Sequence, residues 1–385
     1  MTVPLSPTSG REKRIGLFTP FALVPGGGER YLLAMAATLQ AYGQVELVAP
    51  EIYSQLRVRQ MVRDLGLKLQ EPLPVVRQPA EWLTKPYDLF VAMGNEAVPP
   101  APGLGRVNLF MCQFPFPASG PIFQLQRGYD PQYTSIVVNS RFTLRTLQRE
   151  RRRLEAAPSD LVVVNPPCRV PERPPRDRPF DGVIRIASVG RFFTSGHAKR
   201  QDALISALRQ LIRTERGAIR YELHLIGAAA PQWGSRGYIE ALERKGAGLP
   251  VTLYPNATIE RLQSILETSD VYWHAAGLGT SARRHPERLE HFGIAVVEAM
   301  GAGCVPIVFG AGGPLEIVEV GRTGYVFSSV RGLLEATRRH SEIVRDDHAR
   351  ARAWRQAVWS AAQGFSDAAF RERFGALVEP LLHRC

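Results

Sequence analysis

The chain has 385 residues, of which 45% are hydrophobic and 22% are charged, so it carries enough apolar material for two ordinary domains. This composition excludes a disordered protein, and the formal net charge of +12 favours anionic partners without choosing among nucleic acid, membrane and phosphorylated substrates. The four cysteines are scattered and form no C-x-x-C pair, which predicts neither a zinc site nor a disulfide framework and favours a reducing compartment.

The chain shows no targeting or membrane-spanning signal. Residues 1–10 lack the apolar core of a signal peptide. The longest mostly apolar span, 293–313, contains Glu298, Pro306 and several glycines, so it does not predict a transmembrane helix. We therefore expect a cytoplasmic protein, either soluble or peripheral on the inner face of a membrane.

Short apolar runs alternate with helical patterns in the first part of the chain, as in a parallel sheet that is buried on both faces. The predicted strands are 15–19, 45–49, 89–92, 107–110, 135–138 and 161–164. A glycine-rich loop, 25–30, precedes a helix predicted over 31–41. This arrangement favours phosphate binding, although Tyr31 replaces the last glycine of the dinucleotide fingerprint and no Walker A lysine is present. Taken alone, the loop is equally compatible with a tight turn.

Polar residues follow two of these strands. Gln113 stands near the carboxyl end of strand 107–110, where open α/β sheets bind ligands, and its amide can bind a hydroxyl but cannot titrate. A polar loop residue is the alternative. Ser140 is the predicted N-cap of the next helix. On one face of that helix we find a basic stripe, which is either a solvated surface or a site for anionic lipid: Arg141, Arg145, Arg149 and Arg152.

The proline-rich segment 165–175 breaks all periodicity and predicts a stiff linker. Strands are predicted beyond it at 184–189, 223–226, 251–254, 271–274 and 305–309. Helices are predicted from 259, over 354–382, and after Arg200, where one face is apolar: Leu204, Ile205, Leu208, Leu211 and Ile212. Our division of the chain is an N-terminal domain at 1–168, a linker at 169–181, a C-terminal domain at 182–365 and a C-terminal helix at 366–385.

Two cations flank the loop that follows strand 184–189. Arg191 and Lys199 at such a strand end would neutralise a diphosphate and the negative charge that develops on it. The alternative is a pair of exposed surface cations.

Two acids frame the stretch 290–303, around which the chain is organised. Glu290 precedes a Phe-Gly turn, and Glu298 follows inside an apolar segment that predicts the start of a helix. A buried unpaired carboxylate is costly, whereas a helix that begins near Gly293 offers N–H groups and a positive dipole end to a phosphate. The stretch predicts a nucleotide-sugar pocket in which each carboxylate accepts hydrogen bonds from hydroxyls. A buried helix with one stray acid is the alternative.

The stretch from Glu290 to Glu298 resembles the E-x7-E motif of retaining glycosyltransferases of family 4. Its residue sequence is similar to that of the lipid-linked-oligosaccharide α-mannosyltransferases of this family. The resemblance implies an α/β GT-B fold, in which two Rossmann-like doubly wound parallel-sheet domains face each other across a cleft. It also implies that the C-terminal helix packs back on the N-terminal domain. The implied activity is a retaining hexosyltransferase that needs no metal and no cofactor.

The resemblance assigns roles residue by residue. Arg191 and Lys199 hold the pyrophosphate, Glu290 acts on the hexose, and Glu298 accepts from the ribose hydroxyls. The catalytic set is Glu290, Arg191 and Lys199, without a metal site. The donor-binding set is Gly27, Gly28, Gln113, Gly190, Gly227, Asn256, Phe292, Gly293, Ile294, Ala295 and Glu298. Many family members carry a histidine at the place of Gln113. Glutamine cannot titrate, so this departure from the family argues against a general base there.

The expected donor is GDP-mannose, followed by UDP-glucose or another UDP-hexose, and the expected acceptor is a glycan or a lipid-linked sugar. An anionic membrane is a further expected partner of the basic stripe. Nucleic acid is excluded, since no aromatic residues interleave with the cations and the acid pair would repel a phosphate backbone. The remaining alternatives are a sugar phosphorylase of the same fold and an inactive nucleotide-sugar sensor.

Overall fold

A computed structural model describes residues 12–24, 26–77, 87–194, 196, 198–215, 219–231 and 234–383 of the chain. The chain forms two compact units. The first unit comprises 1–139, 147–164 and 371–385, and the second comprises 140–146 and 165–370. The main part of the second unit thus begins at residue 165, the first residue of the proline-rich segment. The last part of the predicted C-terminal helix groups with the first unit. The predicted polar segment 1–10 lies outside the described residues.

The first unit contains a seven-stranded parallel sheet with the order β3-β2-β1-β4-β5-β6-β7. Its strands are β1 Arg14–Phe18, β2 Gln44–Ala49, β3 Val75–Arg77, β4 Tyr87–Gly94, β5 Gly105–Cys112, β6 Ser135–Val138 and β7 Asp160–Val163. Its helices before residue 140 are α1 Gly27–Leu39, α2 Gln55–Asp64 and α3 Pro121–Arg127. The central strands are apolar on both faces, and residues such as Leu17, Val91 and Phe110 are fully buried.

Helix α1 begins earlier than predicted. Gly27 and Gly28 form its first turn, and the N–H of Arg30 donates to the carbonyl of Gly26 at 2.9 Å, which closes that turn. The predicted loop is therefore shorter, and its first residue, Pro25, lies outside the described residues. Gly26 caps the helix without a side-chain hydrogen bond.

Helix α4, Arg141–Arg153, carries the basic stripe. Ser140 is confirmed as its N-cap, because the N–H of Thr143 donates to Ser140 Oγ at 3.0 Å. All four arginines of the stripe are exposed, whereas Arg151 on the same helix is buried and its guanidinium donates to both carboxylate oxygens of Asp130. The stripe is thus solvent-facing, and its association with an anionic membrane stays a prediction.

The second unit contains a six-stranded parallel sheet with the order β10-β9-β8-β11-β12-β13. Its strands are β8 Val183–Val189, β9 Arg220–Gly227, β10 Val251–Pro255, β11 Val271–His274, β12 Val305–Phe309 and β13 Tyr325–Phe327. The helices of this part are α5 Gln201–Thr214, α6 Ser235–Gly246, α7 Ile259–Thr268, α8 Ile294–Gly301, α9 Val330–Asp346 and α10 His348–Gln363.

The predicted continuous helix over 354–382 is wrong in one respect. It is two helices, α10 and α11 Asp367–His383, separated by residues 364–366. Gly364 ends α10, and the N–H of Phe370 donates to the carbonyl of Ser366 in the first turn of α11. The apolar face predicted for α5 is buried except for Ile212, which is 36% exposed.

Both sheets are doubly wound. In the first, the chain runs outward from β1 through β2 and β3, and then returns to place β4 on the other side of β1. The second sheet repeats this order with β8 and β11. This confirms the predicted α/β class with two Rossmann-like parallel sheets, and it locates a switch point in each sheet, where such folds bind ligands. No helix in the described part of the chain is both long and apolar enough to span a membrane.

His340 on α9 makes the second unit sensitive to acid. The imidazole is buried beside the rings of Tyr325 and Trp354, and burial, helped by the charge of Arg355, lowers the pKa of His340 to about 3. Below pH 6.5 the unfolded chain binds a proton that the folded chain does not, so the stability present above pH 6.5 is lost as pH falls towards 3. The loss approaches about 1.4 kcal/mol per pH unit.

We expect His340→Phe to flatten this dependence while it keeps an aromatic ring in place. Between pH 7 and pH 5 the wild-type chain should lose about 2 kcal/mol more stability than the variant, as measured by urea unfolding followed by tryptophan fluorescence. The control is His348→Phe, since the His348 side chain is half exposed. Equal pH slopes for the wild type and the His340 variant would contradict the assignment.

Candidate active site

The candidate site of the second unit lies at the switch point of its sheet. Strand β8 ends at Val189 and leads into Gly190 and Arg191, while the neighbouring strand β11 ends at His274. The carboxyl ends of parallel strands meet at one edge of the sheet, so the loops that follow β8 and β11 lie side by side. One predicted cation, Lys199, and one predicted acid, Glu290, come together on these loops.

Glu290 is the centre of a charged cluster. Its Oε2 atom forms an ion pair with Lys199 Nζ and lies 3.0 Å from His274 Nε2. The three side chains are largely withdrawn from solvent, with 16%, 15% and 3% of the side chain exposed for Glu290, Lys199 and His274. Withdrawal from solvent strengthens the attraction between the charges of Lys199 and Glu290, and this attraction holds the two side chains in one geometry.

Sequence reasoning named Glu290 and Lys199 but not their pairing, and it did not assign a role to His274. The two charged residues are 91 positions apart, and residue spacing carries no information on such a contact. His274 offered a usable signal, because it is a polar residue at the carboxyl end of an otherwise apolar buried strand.

The loop that follows β8 is fixed by its backbone. The N–H of Gly190 donates to the carbonyl of Ile226 at 2.8 Å, and Gln201 Nε2 donates to the carbonyls of Gly190 and Arg191 at 3.2 Å each. A Cβ atom on Gly227 would lie 1.9 Å from the Gly190 oxygen, so only glycine permits this approach. The backbone of Arg191 is therefore held in place, while its guanidinium lies over the ring of Phe193.

Lys199 returns to the same loop from the other end. A Cβ atom on Gly190 would lie 2.2 Å from Lys199 Cγ, which shows that the lysine stem passes directly over Gly190. Both predicted phosphate-binding cations thus belong to one short loop region. Ser195 and His197, between them, lie outside the described residues.

Asn256 connects the next two loops. Its backbone is left-handed with φ of 54°, and its N–H donates to the carbonyl of Gly227 at 2.8 Å. Its side chain accepts from the N–H of Ala229 at 2.8 Å and donates to the carbonyl of the same residue at 3.1 Å. These bonds fix the loops after β9 and β10 to each other, so Asn256 has an evident structural role beside its predicted place in the donor site.

Helix α8 begins where the sequence predicted. Gly293 is its N-cap with φ of 117°, a conformation that favours glycine, and the helix runs from Ile294 through Ala295 to Gly301. Phe292 is buried and packs against Phe365 with ring centroids 5.6 Å apart, so its ring belongs to the core. The N–H of Gly313 donates to the carbonyl of Glu290 at 2.8 Å and anchors the turn before the helix.

Glu298, in the second turn of α8, is also paired. Its Oε1 atom accepts from Arg169 Nε at 3.2 Å, and 11% of its side chain is exposed. The pairing accounts for a carboxylate inside an apolar helix. Sequence reasoning missed Arg169, because it stands in the proline-rich segment 129 positions from its partner.

The predicted donor-binding residues of the first unit also lie together, at the carboxyl edge of the first sheet. A Cβ atom on Gly28 would lie 2.9 Å from Gln113 Oε1, so the first turn of α1 packs against the Gln113 amide. Gln113 Nε2 donates to Met93 Sδ at 2.8 Å, and Asn139 Nδ2 donates to the Gln113 carbonyl at 2.7 Å. Gly27 precedes Gly28 in the same turn.

No group of three or more histidine, cysteine, aspartate or glutamate residues within the described ranges could hold a metal ion. The expectation of a reaction without a metal and without a cofactor stays a prediction.

Comparisons with known proteins agree with this architecture. Residues 172–357 match the family model described as glycosyl transferases group 1. A glycosyltransferase structure from Rickettsia africae ESF-5 aligns with a TM-score of 0.67 and 14% identity, over 97% of this chain and 99% of that one. Anabaena Alr3699/HepE in complex with UDP and glucose aligns with a TM-score of 0.64 and 17% identity, over 96% and 100%.

A third similar structure is WaaG, described as a glycosyltransferase involved in lipopolysaccharide biosynthesis. It aligns with a TM-score of 0.59 and 16% identity, over 94% of this chain and 97% of that one. A comparison with curated protein sequences gave no match. The chain as a whole has the GT-B fold of these structures.

Proposed function

We propose that the protein is a retaining glycosyltransferase of family 4 that transfers a hexose from a nucleotide-diphosphate sugar to a glycan or a lipid-linked acceptor. The observation that carries the proposal is the cluster of Lys199, Glu290 and His274 at the switch point of the second sheet. The group 1 match covers all three residues. A phosphorylase of the same fold and an inactive nucleotide-sugar sensor are the alternatives.

Each side chain has a proposed task. Arg191 and Lys199 neutralise the leaving diphosphate, helped by the N-terminal N–H groups of α8 near Ile294 and Ala295. Glu290 accepts from a hexose hydroxyl and stabilises positive charge on the sugar ring. Glu298 accepts from the ribose hydroxyls. No residue in the described part of the chain stands out as a covalent nucleophile. We therefore propose that the diphosphate leaves and the acceptor hydroxyl attacks on the same face of the sugar, within one ion pair, which retains the anomeric configuration.

The Lys199–Glu290 pair gives this mechanism a specific first step. Lys199 Nζ is paired with Glu290. A diphosphate that binds beside Gly190 competes with Glu290 for the lysine. The carboxylate is then released towards the sugar while it keeps His274 as its neighbour. Donor binding therefore exchanges one partner of the lysine for another.

The residue sequence of the Glu290 stretch favours GDP-mannose as the donor, whereas the UDP and glucose bound to the Anabaena neighbour favour a UDP-hexose. The lipopolysaccharide role in the description of WaaG supports a lipid-linked acceptor. Such an acceptor would give the exposed basic stripe of α4 a use at the inner face of a membrane.

The proposal is tested by the binding of GDP and UDP to the purified chain, measured by titration calorimetry. We expect Glu298→Ala to raise the Kd of the preferred nucleotide about 10- to 100-fold, because the ribose loses a charged acceptor that contributes about 1.5–3 kcal/mol. The control is Glu335→Ala, which removes an exposed helical glutamate paired with Arg331.

The outcomes separate the proposal from its alternatives. A chain that binds neither nucleotide is not a sugar-nucleotide protein. Nucleotide binding without turnover of any nucleotide sugar, with or without acceptors, favours the sensor. Formation of a sugar 1-phosphate from a glycoside and inorganic phosphate favours the phosphorylase.

We expect transfer to proceed without a divalent metal. The charge of the leaving diphosphate is offset by Arg191, Lys199 and the start of α8. Activity in excess EDTA should equal the activity with added magnesium or manganese. The account of leaving-group stabilisation fails if EDTA abolishes activity and either metal restores it.

A further inference from the structure

Arg169, in the proline-rich segment 165–175, contacts the candidate site but has no task in the proposed mechanism. Its Nε atom donates to Glu298 Oε1 at 3.2 Å, and both residues belong to the second unit. The two side chains are partly withdrawn from solvent, with 29% of Arg169 and 11% of Glu298 exposed. The arginine balances the charge of the carboxylate, and its surroundings indicate a second task.

The backbone on both sides of Arg169 is anchored to α10 and to the turn that follows α10. On one side, Cys168 is fully buried, and its N–H donates to the carbonyl of Phe365 at 2.9 Å. On the other side, the carbonyl of Pro171 accepts from Trp359 Nε1 at 2.9 Å. The arginine side chain therefore extends from a piece of backbone that is fixed at both ends.

The same segment packs against the C-terminal end of α8, the helix that carries Glu298. A Cβ atom on Gly301 would lie 3.1 Å from Val170 Cγ1, and a Cβ atom on Gly303 would lie 2.7 Å from Pro175 Cγ. Glycine at these two positions lets the segment lie directly against the end of the helix. The backbones that carry the guanidinium and the carboxylate are therefore held together by packing as well as by the ion pair.

The ion pair occupies only one of the two carboxylate oxygens of Glu298. Oε1 accepts from Arg169. Oε2 has no hydrogen-bond partner in the described part of the chain and, unlike the fully buried unpaired atoms, it keeps contact with solvent. An ionised carboxylate accepts several hydrogen bonds, so Oε2 remains available to a ligand while Oε1 is held.

We propose that Arg169 is a positioning residue through which the site selects nucleotides that carry a ribose. By holding Oε1, the guanidinium fixes the orientation of Glu298 and keeps Oε2 directed at the ribose hydroxyls. Without it, the carboxylate turns freely towards solvent. A ribose offers two hydroxyl donors to the fixed carboxylate, whereas a 2′,3′-dideoxyribose offers none. The assignment rests on the proposed transferase function and extends it to the choice of nucleotide.

The test compares the Kd of GDP or UDP, whichever the wild-type chain prefers, with the Kd of its 2′,3′-dideoxy form. Titration calorimetry on the full chain measures both. We expect the wild type to bind the ribose form about 10- to 100-fold more tightly, the usual effect of a charged acceptor. Arg169→Met should lower this ratio about tenfold by weakening the ribose form alone. A merely structural role of the arginine would weaken both forms equally and leave the ratio unchanged.

A double variant tests whether the arginine acts through the carboxylate. In the Glu298→Ala background, Arg169→Met should change neither Kd any further, because the two residues then act as one unit. The matched control is Arg173→Met, an exposed arginine of the same segment, which should keep the wild-type ratio. Thermal unfolding reports whether each variant is folded. Arg169→Ala is the second single variant, since it places no thioether beside the carboxylate.

The results separate this assignment from the transferase proposal. An unchanged ratio in a folded Arg169 variant, an equal loss for both nucleotides, or a further loss in the Glu298→Ala background overturns the positioning role and leaves the transferase proposal standing. A ratio that falls equally in the Arg169 and Arg173 variants also overturns it. A wild-type chain that binds neither form contradicts the transferase function, on which the assignment rests.

Discussion

Replacing Lys199 by alanine is expected to lower the turnover number of sugar transfer by about a hundredfold or more. Loss of one preorganised electrostatic stabiliser typically has an effect of this size. The ammonium is held at the loop after β8 by its stem, which passes over Gly190, and by its ion pair with Glu290. Its removal leaves the diphosphate with less compensating charge at the moment when the glycosidic bond breaks. Steady-state kinetics with the preferred donor measure the change.

Lys199→Arg should restore activity only in part, because the planar guanidinium cannot follow the path of the lysine stem over Gly190 and present a point charge at the same place. The control is Lys245→Ala, on α6 and outside the candidate site. Wild-type turnover in Lys199→Ala would remove the lysine from the mechanism, and with it the proposed exchange of partners.

Gly227→Ala is expected to abolish nucleotide binding and to lower the free energy of unfolding by about 1–3 kcal/mol, as overpacking commonly does. The new Cβ atom would lie 1.9 Å from the Gly190 oxygen, and backbone atoms cannot rotate away as a side chain can. The loop that carries Arg191 must therefore move. Calorimetric titration with nucleotide and thermal unfolding measure the two effects.

Gly237→Ala is the matched control, since a Cβ atom at Gly237 on helix α6 meets nothing within 4 Å. Alanine is the better helix former by about 1 kcal/mol, so this variant should be as stable as the wild type or more stable. If both glycine variants bind nucleotide normally, the contact between the loops after β8 and β9 does not control the site.

Much of the fold could be predicted from the sequence for a physical reason. Strands such as β4 and β12 are buried on both faces over most of their length, so they contain apolar runs, for example residues 89–93 of β4. The three-residue strands β3 and β13 were missed because they are too short to show a pattern. The start of α1 was placed late, since two glycines in a first turn argue against a helix until its tertiary contacts are known.

The candidate site could be predicted only in part. Its individual residues were recognisable from a resemblance, but their pairings join distant positions: Lys199 with Glu290, and Arg169 with Glu298.

The first unit cannot finish folding until the last helix, α11, has been synthesised. Residues 371–383 group with the first unit, whose seven strands have all been made by residue 163. Phe374 and Val378 of α11 are fully buried, and Gly375 lies against the hydroxyl of Tyr42, which follows α1. A nascent chain folds from its N-terminus. The apolar surface of the first unit that packs against α11 therefore stays exposed to water while the ribosome makes the roughly two hundred residues between β7 and the last part of α11.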